Sequence, residues 1–243
     1  MAAPLWMWAK CRWRASNMYY YELHMHTSDT SRCGKSPAAD MVAAYKQKGF
    51  TGVVVTDHLM NVQSHAEPET DWNRRVEKQL AGYYAALEAG EKLGLTVYCG
   101  WELTYQDNAE DYLTLGLSPQ FLYDHPWLER YDIEKYRDAV HAAGGILVRA
   151  HPYRRAWYIK KPYVEREGIA DAIEVFNGGN SSQEENDMAL AYAQKHNMPM
   201  TGGSDAHHVD ETARGYIALE KKAESYAELC EAIRTGKAIV MHK

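Results

Sequence analysis

The sequence predicts an α/β protein whose strands are mainly parallel and whose reactive groups collect at one end of them. β-Branched or aromatic runs alternate with amphipathic helical stretches, the pattern of βα units joined by right-handed crossovers. Imidazoles and carboxylates stand just after these runs, at His24, His26, Asp57, His58, Glu102, His151, Asp205 and His207. The length, 243 residues, suits one barrel-sized domain with an ample core. Groups so far apart in the chain meet only where every run is a strand ending at one shared pocket. A closed barrel is preferred to an open, doubly wound sheet because candidate ligands follow at least five strands, whereas an open sheet builds its site around one switch point.

Strands are expected at Tyr19 to Leu23, Gly52 to Thr56, Thr96 to Trp101, Tyr112 to Leu117, Ile146 to Ala150, Ala172 to Phe176, Met200 to Gly202 and Ala238 to Met241. Helical patterns lie between most of them. Ser36 reads as the N-cap of a helix from Pro37 to Lys48, with Pro37 at the first helical position and Gly49 as the stop. A second helix runs from Trp72 to Leu93 and ends at Gly94; Gln183 to His196 and Ser225 to Thr235 are two more. Leu59 to Asp71 and Ser118 to Glu129 read as loops over the site or one lateral surface. Met18 immediately precedes the first strand, so residues 1–18 read as an N-terminal extension, a mobile tail or a start-site artefact, ahead of a domain over 19–243.

A hydrophobic fraction of 46% and a charged fraction of 25% describe a soluble globular chain, and no apolar stretch approaches a membrane span. The opening MAAPLWMWAKCRWRASN lacks the continuous apolar core of a signal peptide. A net charge of -6 argues against a sequence-independent grip on nucleic acid, while a metal cluster could still supply a local positive field for a small anion. Cys11, Cys33, Cys99 and Cys230 are far apart and form no C-x-x-C, so neither a zinc ribbon nor a disulfide framework is indicated and a reducing cytoplasm is expected.

In YELHMHTSD, His24 and His26 are two apart, so at a strand end both imidazoles face the same way and can reach one ion. A lone H-x-H also occurs on ordinary strand edges; the rest of the set changes its meaning. VVVTDH places Asp57 and His58 directly after a buried strand, with His58 read as a ligand and Asp57 as the carboxylate that orients it. Glu102 could bridge two cations. His151 stands at a strand end before Pro152, and GGSDAHH repeats the two-residue spacing with Asp205 and His207 after glycines that let the backbone come close. These histidines and carboxylates exceed what one mononuclear zinc needs, so two or three divalent ions are expected.

With these motifs in hand, the chain resembles the PHP family, the polymerase and histidinol phosphatase metallo-phosphoesterases. The resemblance runs from Tyr19 to Lys243 through HMHTS, GVVVTDH, the GWE step, AHP, EVFNGGN and GSDAH in the family's order. It implies a distorted (β/α)7 barrel with up to three divalent ions, Zn, Mn or Fe, at the C-terminal ends of its strands. The first ion would take His24, His26, Glu102 and Asp205, the second Glu102 and His151, and the third His58 and His207. Two departures stand out. Asp111 in EDYLTLG occupies a place where many members have histidine, and could bind through oxygen; the loop DTSRCG offers Asp29, Ser31 and Cys33, none at the spacing of the family's aspartate.

The resemblance implies phosphoester hydrolysis, with a water between two ions losing its proton and attacking phosphorus in line. Glu102, Asp205 and His207 are the candidate catalytic residues, His207 or a metal-held water protonating the leaving oxygen. Arg154, Arg155 and Arg214 are candidates for holding phosphate, and Asn177 for contacting substrate or bracing a ligand. Tyr153 and Trp157 could line a pocket for a ring, while His65, His125, His141, His196, His208 and His242 read as structural or solvent-exposed. The expected substrate is a small phosphomonoester or nucleotide. The alternatives are an exonuclease-like phosphodiesterase on nucleic-acid ends and a noncatalytic metal-binding regulatory module.

Overall fold

A computed structural model describes residues 18–105, 110–157, 159 and 166–243. The expected extension, up to residue 17 and including Cys11, lies outside them. The described strands form two five-stranded sheets. In the first, β1 (Tyr19–Glu22), β2 (Gly52–Val55) and β3 (Thr96–Cys99) run parallel, and β9 (Gly215–Leu219) and β10 (Ile239–His242) extend the sheet antiparallel beyond β1. In the second, β4 (Trp101–Tyr105), β5 (Glu110–Leu115) and β6 (Ile146–Arg149) pair antiparallel, and β6, β7 (Ala172–Asn177) and β8 (Met200–Gly203) pair parallel. The fold is therefore mixed α/β in two sheets, with more antiparallel pairing than the expected βα repeats supply.

The sheets meet at the ends that carry the candidate ligands. Met25 bridges Ala206 beyond β1 and β8, and His58 bridges Glu102 beyond β2. Backbone bonds from His26 N to Ala206 O at 2.9 Å and from Leu59 N to Glu102 O at 2.8 Å fasten the same seams. Between the sheets, Tyr21, Leu23, Val54 and Ile217 of one pack with Leu113, Ile146, Val148 and Ala172 of the other. Helix α7 (Tyr226–Arg234) closes this shared core with Leu229, Cys230 and Ile233, its start capped by Ser225 accepting from Glu228 N.

Helix α1 (Ala38–Gln47) begins one residue later than expected. Pro37 is its N-cap, and the Ala38 amide is capped by Asp29 Oδ2 at 2.8 Å; Ser36 instead accepts from Val209 N through Oγ. The single helix expected from Trp72 to Leu93 is two, α2 (Trp72–Gln79) and α3 (Ala81–Leu93), broken at Leu80. Thr30 is the wedge: its hydroxyl lies against the Lys78 and Gln79 carbonyls and accepts from Gly82 N at 2.9 Å. A Cβ on Gly82 would lie within 2.5 Å of an Asp57 oxygen, so a glycine lets α3 start against the site.

The short helix α4 (Gln120–Asp124) and α5 (Ile133–Ala142) fill a stretch the sequence reading leaves unassigned or as loop. Asp132 caps α5, which buries Ile133, Tyr136 and Val140. Tyr136 OH meets Trp101 Nε1 at 2.6 Å and Thr114 Oγ1 at 2.7 Å, satisfying the polar tips of two large core rings. Helix α6 (Gln183–Lys195) packs on β7 through Ala189 and Ala193.

Candidate metal centre

The strand ends deliver His24, His26, Glu102, His151 and Asp205 into one buried cluster. His24 Nε2 stands 3.4 Å from Glu102 Oε1 and 3.4 Å from Asp205 Oδ1; His26 Nε2 stands 3.4 Å from Glu102 Oε2 and 3.3 Å from the same Asp205 oxygen. Neither Nε2 has a hydrogen-bond partner, although both rings are fully buried. Such orphaned nitrogens are costly unless something else satisfies them. Ligands about 2.0–2.1 Å from a common tetrahedral ion lie roughly 3.3–3.4 Å apart, which is the spacing found here.

Neighbouring groups set the tautomers. His24 Nδ1 donates to Glu174 Oε1 at 3.0 Å, leaving the Nε2 lone pair for the cluster. Ser31 gives its proton to Asp57 Oδ1 at 2.6 Å, so its oxygen accepts from His58 N and stands 3.4 Å from His26 Nδ1. His207 Nδ1 donates to the Asp205 carbonyl at 2.9 Å, which leaves Nε2 as the ring nitrogen available to a ligand. Asp57 departs from its expected role. Its side-chain partners among the described residues are Thr27 and Ser31, so it braces the loop after His26 rather than the His58 ring.

Glu102 is the hub. Besides His24 and His26 it lies 3.1 Å from His58 Nδ1 and accepts from His151 Nε2 at 3.0 Å. Asp111 Oδ2 is 3.8 Å from that same His151 nitrogen. Three further sets of side chains could each hold an ion: Glu102, Asp111 and His151; His24, His151 and Asp205; and His26, Cys33, His58 and His207. His151 and Asp205 both have left-handed backbones, φ 25° and 50°. For His151, ahead of a proline, that is strained, and strain of this kind clusters at functional sites.

The electrostatics follow from crowding opposite charges in a dry space. Burial opposes charge on His24, but Asp205, Glu174 and Glu102 outweigh it and hold its pKa well above the ordinary value. Burial, reinforced by His207 and His58, pushes His26 down to about 3. Burial would raise Glu102 and Asp205, yet the facing histidines, and Arg154 for Asp205, carry both well below the carboxylate range. Asp111 is raised by burial and by Glu102. These residues fit a metal centre: oxygen and imidazole ligands, buried and oriented from behind, with the His24 and His26 Nε2 atoms lacking any hydrogen-bond partner.

A cleft of about 330 Å³ opens onto the cluster, lined by Cys33, His58, Asn61, Glu102, Asp111, His151, Arg154, Asp205 and His207 among others. Arg154 reaches it already engaged, with Nη2 donating to Asp205 Oδ2 at 2.5 Å and to Asn177 Oδ1 at 2.7 Å. Asn177 Nδ2 in turn donates to Glu174, so Asn177 braces the cluster from behind. Arg155 turns outward to Glu184 on α6, and half-exposed Arg214 lies 3.9 Å from Glu211; neither lines the cleft. Sequence reasoning missed Glu174, whose signal was a carboxylate inside an otherwise apolar strand, and Cys33 as a neighbour of the imidazoles.

Residues 183–238 match the family model described as PHP-associated. An uncharacterized protein of Methanocaldococcus jannaschii is 35% identical over 96 residues, 37% of this chain and 40% of that relative, so the match spans less than half of the relative's length. Among solved structures, a two-domain protein of Bacteroides vulgatus containing a predicted PHP-like metal-dependent phosphoesterase superposes with a TM-score of 0.67 at 19% identity, over 93% of this chain and 65% of that one. The lesion-specific endonuclease EndoQ of Pyrococcus furiosus superposes with a TM-score of 0.57 at 16% identity, over 92% of this chain and 58% of that one. The likeness to the PHP family read from the motifs is thus borne out, by the family model toward the carboxyl end and by a PHP-like fold along the chain.

Proposed function

We propose that this chain is a metal-dependent phosphoric ester hydrolase acting on a small phosphomonoester or nucleotide. The observation that carries the reading is the convergence of the orphaned His24 and His26 nitrogens with Glu102 and Asp205 at the spacing of ligands around one ion. His24, His26, Glu102 and Asp205 would hold one ion, Glu102, His151 and Asp111 a second, and His58 and His207 a third. Bound divalent ions supply Lewis acidity toward a phosphoryl oxygen and make water a stronger acid.

The chain's own residues would do the rest. Glu102 presents both oxygens to facing histidines and fixes their separation. Where the third position is not filled, His207, at the cleft and partly exposed, would instead be free to protonate a leaving oxygen. The cleft volume suits a small ester. Counting β3 and β4, which Gly100 alone separates, as one strand, and closing the ring β1, β2, β3–β4, β5, β6, β7 and β8 through the two seam bridges, is our reading of the fold as a distorted (β/α)7 barrel, one domain over 19–243. The free thiols of Cys33, Cys99 and Cys230 support the reading of a reducing, cytoplasmic setting.

An end-processing nuclease is the second reading, favoured by the likeness to an endonuclease fold and opposed by the net charge of -6. One experiment tests both. Metal content is measured on protein purified without chelator, and the sample is assayed on phosphomonoesters, phosphodiesters and oligonucleotides, with His24→Ala and Asp205→Ala alongside. Two or three ions with monoester turnover lost in both variants is expected. Turnover of oligonucleotides alone favours the nuclease, and full activity in both variants sinks the metal mechanism.

A further inference from the structure

The loop between His26 and α1 carries a thiol into the cluster. Arg32 N is tied to Gln63 O at 2.7 Å and Lys35 N to His207 O at 2.7 Å, so Cys33 is held between two fixed points. Gly34 N bonds Ser31 O, and a Cβ on Gly34 would fall 2.4 Å from Thr27 backbone atoms. Only a residue without a side chain lets the loop fold this tightly onto the segment carrying His26. The result places Cys33 Sγ and ring nitrogens of His26, His58 and His207 all within 4.8 Å of one another. His26 is stacked against His207 with ring centroids 4.4 Å apart and lies 4.6 Å from His58. His58 Nδ1 is buried without a hydrogen-bond partner.

We propose that Cys33 is a thiolate ligand of the third ion, beside His58 and His207, and that this position therefore selects a thiophilic divalent metal such as zinc over manganese or magnesium. The proposal rests on the metal-centre reading above and adds a ligand to it. Sulfur and imidazole make a softer site than the carboxylate-rich positions around Glu102, and soft ligands favour zinc-like ions, whereas carboxylate and water suit magnesium and manganese. On binding, the thiol proton leaves to solvent and the sulfur bonds the ion. No oxidant or reductant is involved. Cys99 and Cys230 are buried in the core and serve as internal controls.

The test is cobalt(II) titration of metal-stripped full-length protein, wild type and Cys33→Ser, read by absorption. Wild type is expected to show a near-ultraviolet thiolate-to-cobalt band together with visible ligand-field absorption, and C33S to lose the first while keeping the second. Ligand-field absorption with no thiolate band in wild type, or an identical band in C33S, overturns the role of Cys33 and leaves the metal centre standing. No cobalt absorption at all removes both. A second measurement needs no variant: iodoacetamide labelling of Cys33, mapped by peptide mass, should slow by more than about tenfold when zinc is bound and not when manganese is. Equal labelling with and without zinc overturns the proposal.

Discussion

Arg154 Nη2 grips Asp205 Oδ2 at 2.5 Å while the other Asp205 oxygen stands 3.4 Å from His24 Nε2 and 3.3 Å from His26 Nε2. The arginine thus divides the carboxylate, one oxygen held and the other offered to the cluster. This is the work of a positioning residue. Groups that orient metal ligands typically contribute about 10–100-fold to affinity or activity. Arg154→Ala should weaken metal binding by that order, with Arg154→Lys, which keeps a charge but not the fork, intermediate. Competition against a chromophoric chelator reads this directly. Unchanged metal affinity with a raised KM alone would return Arg154 to the role of phosphate clamp expected from the sequence.

Glu174 works from the opposite side. Oε1 accepts from His24 Nδ1 at 3.0 Å, and Oε2 accepts from His151 N at 2.9 Å and Asn177 Nδ2 at 2.8 Å. Glu174→Ala frees the His24 tautomer and strands a buried amide, a loss of roughly 1–3 kcal/mol for the amide alone. Both a lower Tm and weaker metal binding are expected. A variant with normal affinity for metal would show that His24 needs no orienting carboxylate.

Glu22 gives the metal-free protein a pH dependence. Burial pushes its pKa up to about 7, against hydrogen bonds from Ser204, His24 N and Tyr45 that favour the ionised form. A carboxyl raised in the folded state from 4.5 favours folding while protonated, so its contribution is complete below about pH 4.5 and is lost as pH rises through about 7. The shift corresponds to roughly 3 kcal/mol between those limits. Glu22→Gln stays neutral throughout, so its Tm should fall less than that of wild type between about pH 5 and 8. Parallel Tm curves for the two proteins would assign the decline to other groups.

Much of this centre was legible in the sequence because ligands at strand ends report themselves by chemistry alone. His24 and His26, two apart after an apolar run, do converge, and Glu102, His151 and Asp205 meet them. The parts that were not legible depend on long-range closure. Cys33 reaches His58 and His207 only because Arg32 and Lys35 are fastened to loops elsewhere in the chain, which no local spacing encodes. Thr30 breaks the helix at Leu80 from outside it, so helical periodicity carries straight across the break. Strand β9 and helix α5 were open to reading: the latter has Asp132 as cap and buried Ile133, Tyr136 and Val140 at helical spacing. Arg155 was read as a phosphate contact because it follows His151 at a strand end, and Arg214 because of its residue type; in the fold Arg155 pairs with Glu184, and neither lines the cleft.

Removal of metal should be felt as a loss of stability whose size depends on pH. Without ions, His24 and His58 are held well above the ordinary imidazole pKa and His207 is raised, in each case because facing acidic groups outweigh burial. Those rings carry protons that an incoming cation must displace, so binding releases protons and strengthens as pH rises. At a free-ion concentration about one hundred times Kd, binding stabilises the folded chain by about 2.7 kcal/mol. For a domain of this size that is a Tm rise of roughly 5–11 °C. Calorimetry with and without chelator should show the rise, larger at about pH 8 than at about pH 6. An equal rise at both values would mean that the ion displaces no proton and therefore binds elsewhere than among these histidines.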